Sequence, residues 1–187
     1  VELSGRWTIE LRSYFAVSNG KKSPSKQLSL AAADLNAALS LSGDDAIVSC
    51  DSVVSIKLGK GSNVKEILKS KDANSVVIEP PYRHSDGMGD GMTATIVTTG
   101  KIYSIDCAVY TMIIDNADEL DEFGEYTKYQ WDETYRWDGY FVLGSDIVYN
   151  TAENLADKEG NCKVNSNTRM FKPFICNYYR DGNNVYF

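Results

Sequence analysis

The hydrophobic positions of this chain fall into two kinds of pattern. Trp7, Ile9, Leu11 and Phe15 stand two apart or nearly so, which predicts a strand within Val1 to Val17. The polar stretch 18–25, which contains Gly20 and Pro24, then reads as a turn or loop. Leu28 to Leu41 is alanine-rich and places Leu28, Leu35 and Leu39 with Ala31 and Ala32 on one helical face, predicting a helix that Gly43 closes. Ala46 to Leu58 fits a strand or a buried helix, and Ser62 to Ser70 reads as a short helix with Ser62 as its cap. Val76 to Glu79 is a short apolar run halted by Pro80-Pro81. Tyr82 to Thr93, with Gly87, Gly89 and Gly91, reads as a loop, and Ile102 to Ile114 is apolar enough to be buried.

The second half is richer in aromatic and strand-like segments. Tyr126 to Phe141 contains Trp131, Trp137 and several tyrosines, and reads as core packing or as an aromatic recognition surface. Phe141 to Tyr149 predicts a strand, and Thr151 to Lys158 one or two helical turns. Asn161 to Val164 and Met170 to Tyr179 predict an antiparallel pair joined by a polar turn at 165–168. Helices early and strands late predict an α+β arrangement, and neither a repeat nor a linker divides the 187 residues, so a single domain over 1–187 is expected.

Charge and cysteine content narrow the class. The formal net charge of −7 disfavours nucleic acid and anionic membrane as partners. No apolar run approaches the roughly 20 residues of a membrane helix. The four cysteines, Cys50, Cys107, Cys162 and Cys176, form no Cys-x-x-Cys pair, which argues against zinc ribbons and redox motifs. Two disulfides in an oxidising compartment explain them better, and spacing leaves all three pairings open. Secretion or display at the extracellular cell surface is therefore expected, any lipid anchor lying outside these residues, and the protein is expected to be a monomer.

The end of the chain carries the most specific pattern. Gly160-Asn-Cys162-Lys-Val164 is followed by Phe174-Ile-Cys176-Asn-Tyr178 and then Arg180-Asp-Gly-Asn183. This resembles the closing strands and turn of the CAP superfamily, the cysteine-rich secretory, antigen 5 and pathogenesis-related 1 proteins. His84-Ser-Asp-Gly-Met-Gly-Asp90 resembles that family's His-Ser loop, and Gly144-Ser-Asp146 its Gly-His strand with aspartate in place of histidine. The helix-borne Cys107, on a helix expected over 107–123, is similar to the divergent branch of coccidian surface antigens. The resemblance implies a three-layer αβα sandwich with a central, mainly antiparallel sheet. It also implies a Cys162–Cys176 disulfide, with Cys50–Cys107 as the second. It further implies a degenerate cleft at His84, Asp90, Glu133 and Asp146.

Candidate chemistry is sparse. His84 is the sole histidine, no Gly-x-Ser-x-Gly elbow occurs, and the glycine loop 86–91 lacks the oxygen ligands of an EF-hand. With one imidazole and three carboxylates, the degenerate cleft is expected to hold no functional metal, and no cofactor is implied. The acidic cluster from Asp115 to Glu125 reads as a solvated face. The function expected is that of a non-enzymatic, CAP-like surface antigen acting by protein or host-cell recognition, with lipid binding as a family trait. One alternative is a lipocalin-like carrier of small ligands, suggested by Gly5-Arg6-Trp7. Another is a metal-dependent hydrolase built on His84, Asp90 and Glu133.

Overall fold

The computed structural model describes residues 1–11, 15–18, 21–24, 27–128, 139–151, 155, 168–170, 179–181 and 184–186. They belong to two compact units: residues 1–112 with 138–141, and residues 113–137 with 142–187.

The first unit is built almost wholly of strands. A five-stranded sheet has the order β1-β10-β9-β5-β6, formed by Glu2–Glu10 (β1), Ile102–Tyr110 (β10), Gly89–Thr98 (β9), Val53–Lys60 (β5) and Asn63–Glu66 (β6). β10, β9, β5 and β6 pair antiparallel, whereas β1 joins β10 in parallel, with Trp7 opposite Cys107 and Ile9 opposite Val109. A three-stranded sheet has the order β4-β8-β7, from Leu28–Ala31 (β4), Ser75–Ile78 (β8) and Leu68–Lys71 (β7). Phe15–Ser18 (β2) pairs antiparallel with Lys21–Pro24 (β3).

One strand turns a corner between the two sheets. β6 lies on β5, the chain passes through Ile67, and β7 lies on β8. At the corner the Ile67 N–H donates to the Ile56 carbonyl at 2.8 Å, and the Ile67 carbonyl accepts the Glu79 N–H at 2.7 Å. The Glu66 carboxylate accepts the Ile56 N–H at 2.8 Å, taking a backbone donor that the bend removes from the ladder. The core lies between these layers. Trp7, Ile9, Ile56, Leu58, Ala94, Ile96 and Ile105 come from the larger sheet, and Leu28, Leu35, Leu39, Val76 and Ile78 from the other side. Each buried valine, leucine or isoleucine among them contributes about 1.5–3 kcal/mol by leaving water.

In the second unit Ala117–Lys128 forms the acidic helix α2. Arg169 binds it at its first turns: Nε and a terminal nitrogen donate to Asp121 at 2.9 and 2.6 Å, and the same nitrogen donates to Asp118 at 2.7 Å. Asn150 clasps the Arg169 backbone through both amide atoms, at 2.8 and 2.9 Å. The guanidinium lies 5.0 Å from the Tyr149 ring centroid. The acidic cluster is thus partly neutralised by an arginine some fifty positions along the chain. Met112–Ile114 (β11) and Phe141–Leu143 (β12) are short strands, and Tyr179–Asp181 (β13) pairs antiparallel with Asn184–Tyr186 (β14).

Several expectations are corrected. The three-layer αβα sandwich is contradicted: the described residues contain two α-helices against fourteen strands distributed over several sheets. The helix expected over Leu28 to Leu41 is cut to Ala32–Ala38 (α1), because Leu28–Ala31 pairs with the β-branched strand Ser75–Ile78, and tertiary pairing overrides alanine's helical preference. Ser62 to Ser70 is not a helix but the bent strand β6–β7. Cys107 lies in β10 rather than on a helix over 107–123, and α2 begins only at Ala117. The turn expected over 18–25 contains β3. The strand expected over Phe141 to Tyr149 stops at Leu143.

Candidate functional site

Three neighbouring strands bring together residues far apart in sequence. Arg6 comes from β1, Tyr110 from the end of β10 and Asp90 from the start of β9. The Arg6 guanidinium donates to both the Asp90 carboxylate and the Tyr110 oxygen, and lies 5.4 Å from the Tyr110 ring centroid. The Tyr110 hydroxyl donates to Asp90 at 2.6 Å. That hydrogen bond is the main reason the Asp90 carboxyl is held below the usual range. Burial opposes the shift, and the positive charges of Arg6 and Lys60 add to it. Burial, and then the hydrogen bond to Asp90, push the Tyr110 phenol above its ordinary value.

Tyr140 extends this cluster. Its ring stacks on Tyr110 with centroids 5.7 Å apart, and His84 stacks on it in turn at 5.7 Å with the planes 9° from parallel. Offset stacking at this spacing is a favoured aromatic geometry. The Tyr140 backbone is fixed by Thr111: the Thr111 N–H donates to the Tyr140 carbonyl at 2.7 Å, and the Tyr140 N–H to Thr111 Oγ1 at 3.0 Å. Gly89 makes room for the ring. Its φ is +115°, and a Cβ there would stand 2.9 Å from Tyr140 Cε2. His84 is exposed on the turn His84–Asp86, Tyr140 is half-buried, and Tyr110 is buried. The result is a ladder, His84–Tyr140–Tyr110–Arg6, with its outer ring in solvent and its inner end tied to a carboxylate.

Two of the four residues of the degenerate cleft lie in this cluster. His84 and Asp90 both belong to the ladder, but Asp90 is engaged with Arg6 and Tyr110. Asp146 is exposed and belongs to the second unit, and Glu133 lies outside the described residues. Among the described residues no group of three or more His, Cys, Asp or Glu could hold a metal ion. The His84 ring makes its contact by stacking and hydrogen-bonds no hydroxyl or thiol among the described residues. Cys50 and Cys107 are separate, buried free thiols, which corrects the pairing of these two cysteines. Cys107 faces the core of the large sheet from β10, whereas Cys50 sits in the turn Cys50–Ser52. Burial pushes the Cys107 thiol up to about 12, so it carries no nucleophilic thiolate near neutral pH. Cys162 and Cys176 lie outside the described residues.

Of the ladder, sequence reading singled out His84 and Asp90 alone. Tyr140 was visible as part of an aromatic run, and the glycine spacing around Gly89 was a trace of the ring that packs there. Arg6 and Tyr110 left no signal, since their meeting depends on the parallel pairing of β1 with β10. The chain matches no family model, no curated protein and no solved structure.

Proposed function

We propose that this chain is a non-enzymatic recognition domain, secreted or displayed at a cell surface, that engages a protein partner through the ladder His84–Tyr140–Tyr110–Arg6. The observation that carries this reading is the stacking of exposed His84 on half-buried Tyr140, backed by Tyr110 and Arg6. Aromatic rings and arginine held in place by their neighbours lose little conformational freedom on binding, which is why such residues dominate protein interfaces. The polar atoms behind the rings already satisfy one another, so covering the ladder leaves no buried charge unpaired.

The reading is tested by probing a panel of immobilised extracellular protein domains with the labelled chain and its Tyr140→Ala and His84→Ala variants. Partners captured by the parent chain should be lost or weakened at least about tenfold by Tyr140→Ala, a cost of about 1.4 kcal/mol. Ester or peptide hydrolysis that disappears in His84→Ala would replace recognition with catalysis. Capture that survives both variants would move the contact elsewhere.

A further inference from the structure

β6 is the last strand of the large sheet, paired to β5 on one side and to no strand on the other among the described residues. Its four residues, Asn63 to Glu66, are all exposed. Such an edge offers unpaired backbone donors and acceptors to any extended chain that reaches it. The charge around it is unlike that of the rest of the molecule. Residues 57–71 carry five lysines and one glutamate, in a chain whose formal net charge is −7. Lys69 lies 3.7 Å from Glu79, and Lys71 donates to the backbone carbonyls of Asp51 and Val53. The glutamate, Glu66, is turned back onto β5, where its carboxylate accepts the Ser55 hydroxyl and the Ile56 N–H. Lys57 and Lys65 are exposed and enter no hydrogen bond or ion pair among the described residues. Cross-strand partners share a face and successive residues alternate, so Lys65, opposite Leu58, and Lys57, opposite Glu66, flank the edge on its two faces. Lys60, also exposed, stands at the hairpin end opposite Asn63.

We propose that the β6 edge is a docking site for an extended acidic segment of a partner protein, which adds as a further strand and sets carboxylates against Lys57 and Lys65. Two independent features select this occupant. The open backbone edge asks for an extended polypeptide, as in other recognition by strand addition. The lysines on both faces ask for acidic residues at adjacent positions, because an extended chain sends neighbours to opposite faces. The Val64 side chain, 50% exposed, gives the partner an apolar contact beside these charges. The same lysines exclude a second copy of this chain, since pairing β6 with β6 would set like charges together. A long polyanion is disfavoured for a different reason: beyond the lysine ribbon it meets the negative remainder of the chain. The site is separate from the His84–Tyr140 surface and does not depend on its role.

The test uses the whole chain at low ionic strength and a fluorescein-labelled Glu-Glu-Val-Glu-Glu-Val peptide as the probe. Fluorescence anisotropy should rise and saturate, and the affinity should fall as added salt screens the charges. The double variant Lys57→Glu/Lys65→Glu, at exposed positions where substitution disturbs folding little, should weaken binding at least about tenfold and should instead bind a Lys-Lys-Val-Lys-Lys-Val peptide. Lys57→Gln/Lys65→Gln serves if that variant fails to fold, with the loss alone expected. An acidic peptide N-methylated at every residue keeps its charges but has no N–H with which to pair, and should also bind at least about tenfold more weakly. Four results would each overturn the proposal. They are no saturable binding by the parent chain, equal binding by parent and double variant, equal binding of the N-methylated peptide, or saturable binding of heparin with none of the peptide. The third would reduce the contact to charge alone, and the fourth would assign the lysines to a polyanion.

Discussion

Cys50 and Cys107 illustrate how a residue's surroundings decide its chemistry. Both are buried and unbridged. Burial raises both thiols above their ordinary value, and the nearby charges of Asp72 and Asp51 add to the effect at Cys50. If Cys162 and Cys176 are bonded to each other, unreduced protein in denaturant should alkylate at two thiols, and native protein should label Cys107 only as fast as the core opens. Four labelled thiols would remove the disulfide on which the proposed secreted location leans, and none would show both pairs of cysteines bridged. Mass spectrometry after alkylation distinguishes these outcomes. Asp90 is the second instructive residue. Its carboxyl titrates below the unfolded value of about 3.9, chiefly because the Tyr110 hydroxyl donates to it. Its contribution is therefore complete above that unfolded value and is lost as pH falls through the folded one. The melting temperature should fall in acid more steeply for the parent chain than for Asp90→Asn, and parallel curves for the two would deny Asp90 that role.

Elements are where local preference and tertiary demand compete. Leu28–Ala31 has helical composition yet is a strand, because its backbone completes a ladder with Ser75–Ile78. The helix that remains is anchored from outside: the Asn36 side chain accepts the Ile47 N–H at 2.8 Å and donates to the Ile47 carbonyl at 2.9 Å, as a neighbouring strand would. Asn36 was one polar position on a predicted helix, and nothing in its spacing announced that clasp. Gly89 was legible as a glycine, but its necessity comes from the start of β9. A side chain there meets left-handed strain and the Tyr140 ring together. Gly89→Ala should cost about 1–3 kcal/mol in denaturant unfolding and should weaken the binding attributed to Tyr140. An unchanged midpoint would show that the ring moves aside freely.

At the scale of the whole molecule, the far-ultraviolet circular dichroism spectrum should be dominated by strand signal, whereas a strongly helical spectrum would overturn this architecture. The parallel pairing of β1 with β10 also departs from the simple up-and-down order of a lipocalin-like barrel, although Trp7 does line a cleft. The sequence by itself determined the class of β1, the burial of most apolar residues from Tyr103 to Ile114 (though not of Ile102, which is exposed), the stop at Pro80-Pro81 and the acidic character of 115–125. These follow from local periodicity, from proline's missing donor and from charge. It placed His84 and Asp90 as the polar residues to watch. Only the tertiary structure decided that Ser62 to Ser70 bends between two sheets, that Arg169 neutralises α2, and that Arg6, Tyr110 and Tyr140 join His84 and Asp90 in one ladder. The physical reason is common to the last two, whereas β6 and β7 pair with residues no more than ten positions away. Strand pairing and ion pairing join residues separated by tens of positions, and such contacts leave no periodic mark on the segments they connect.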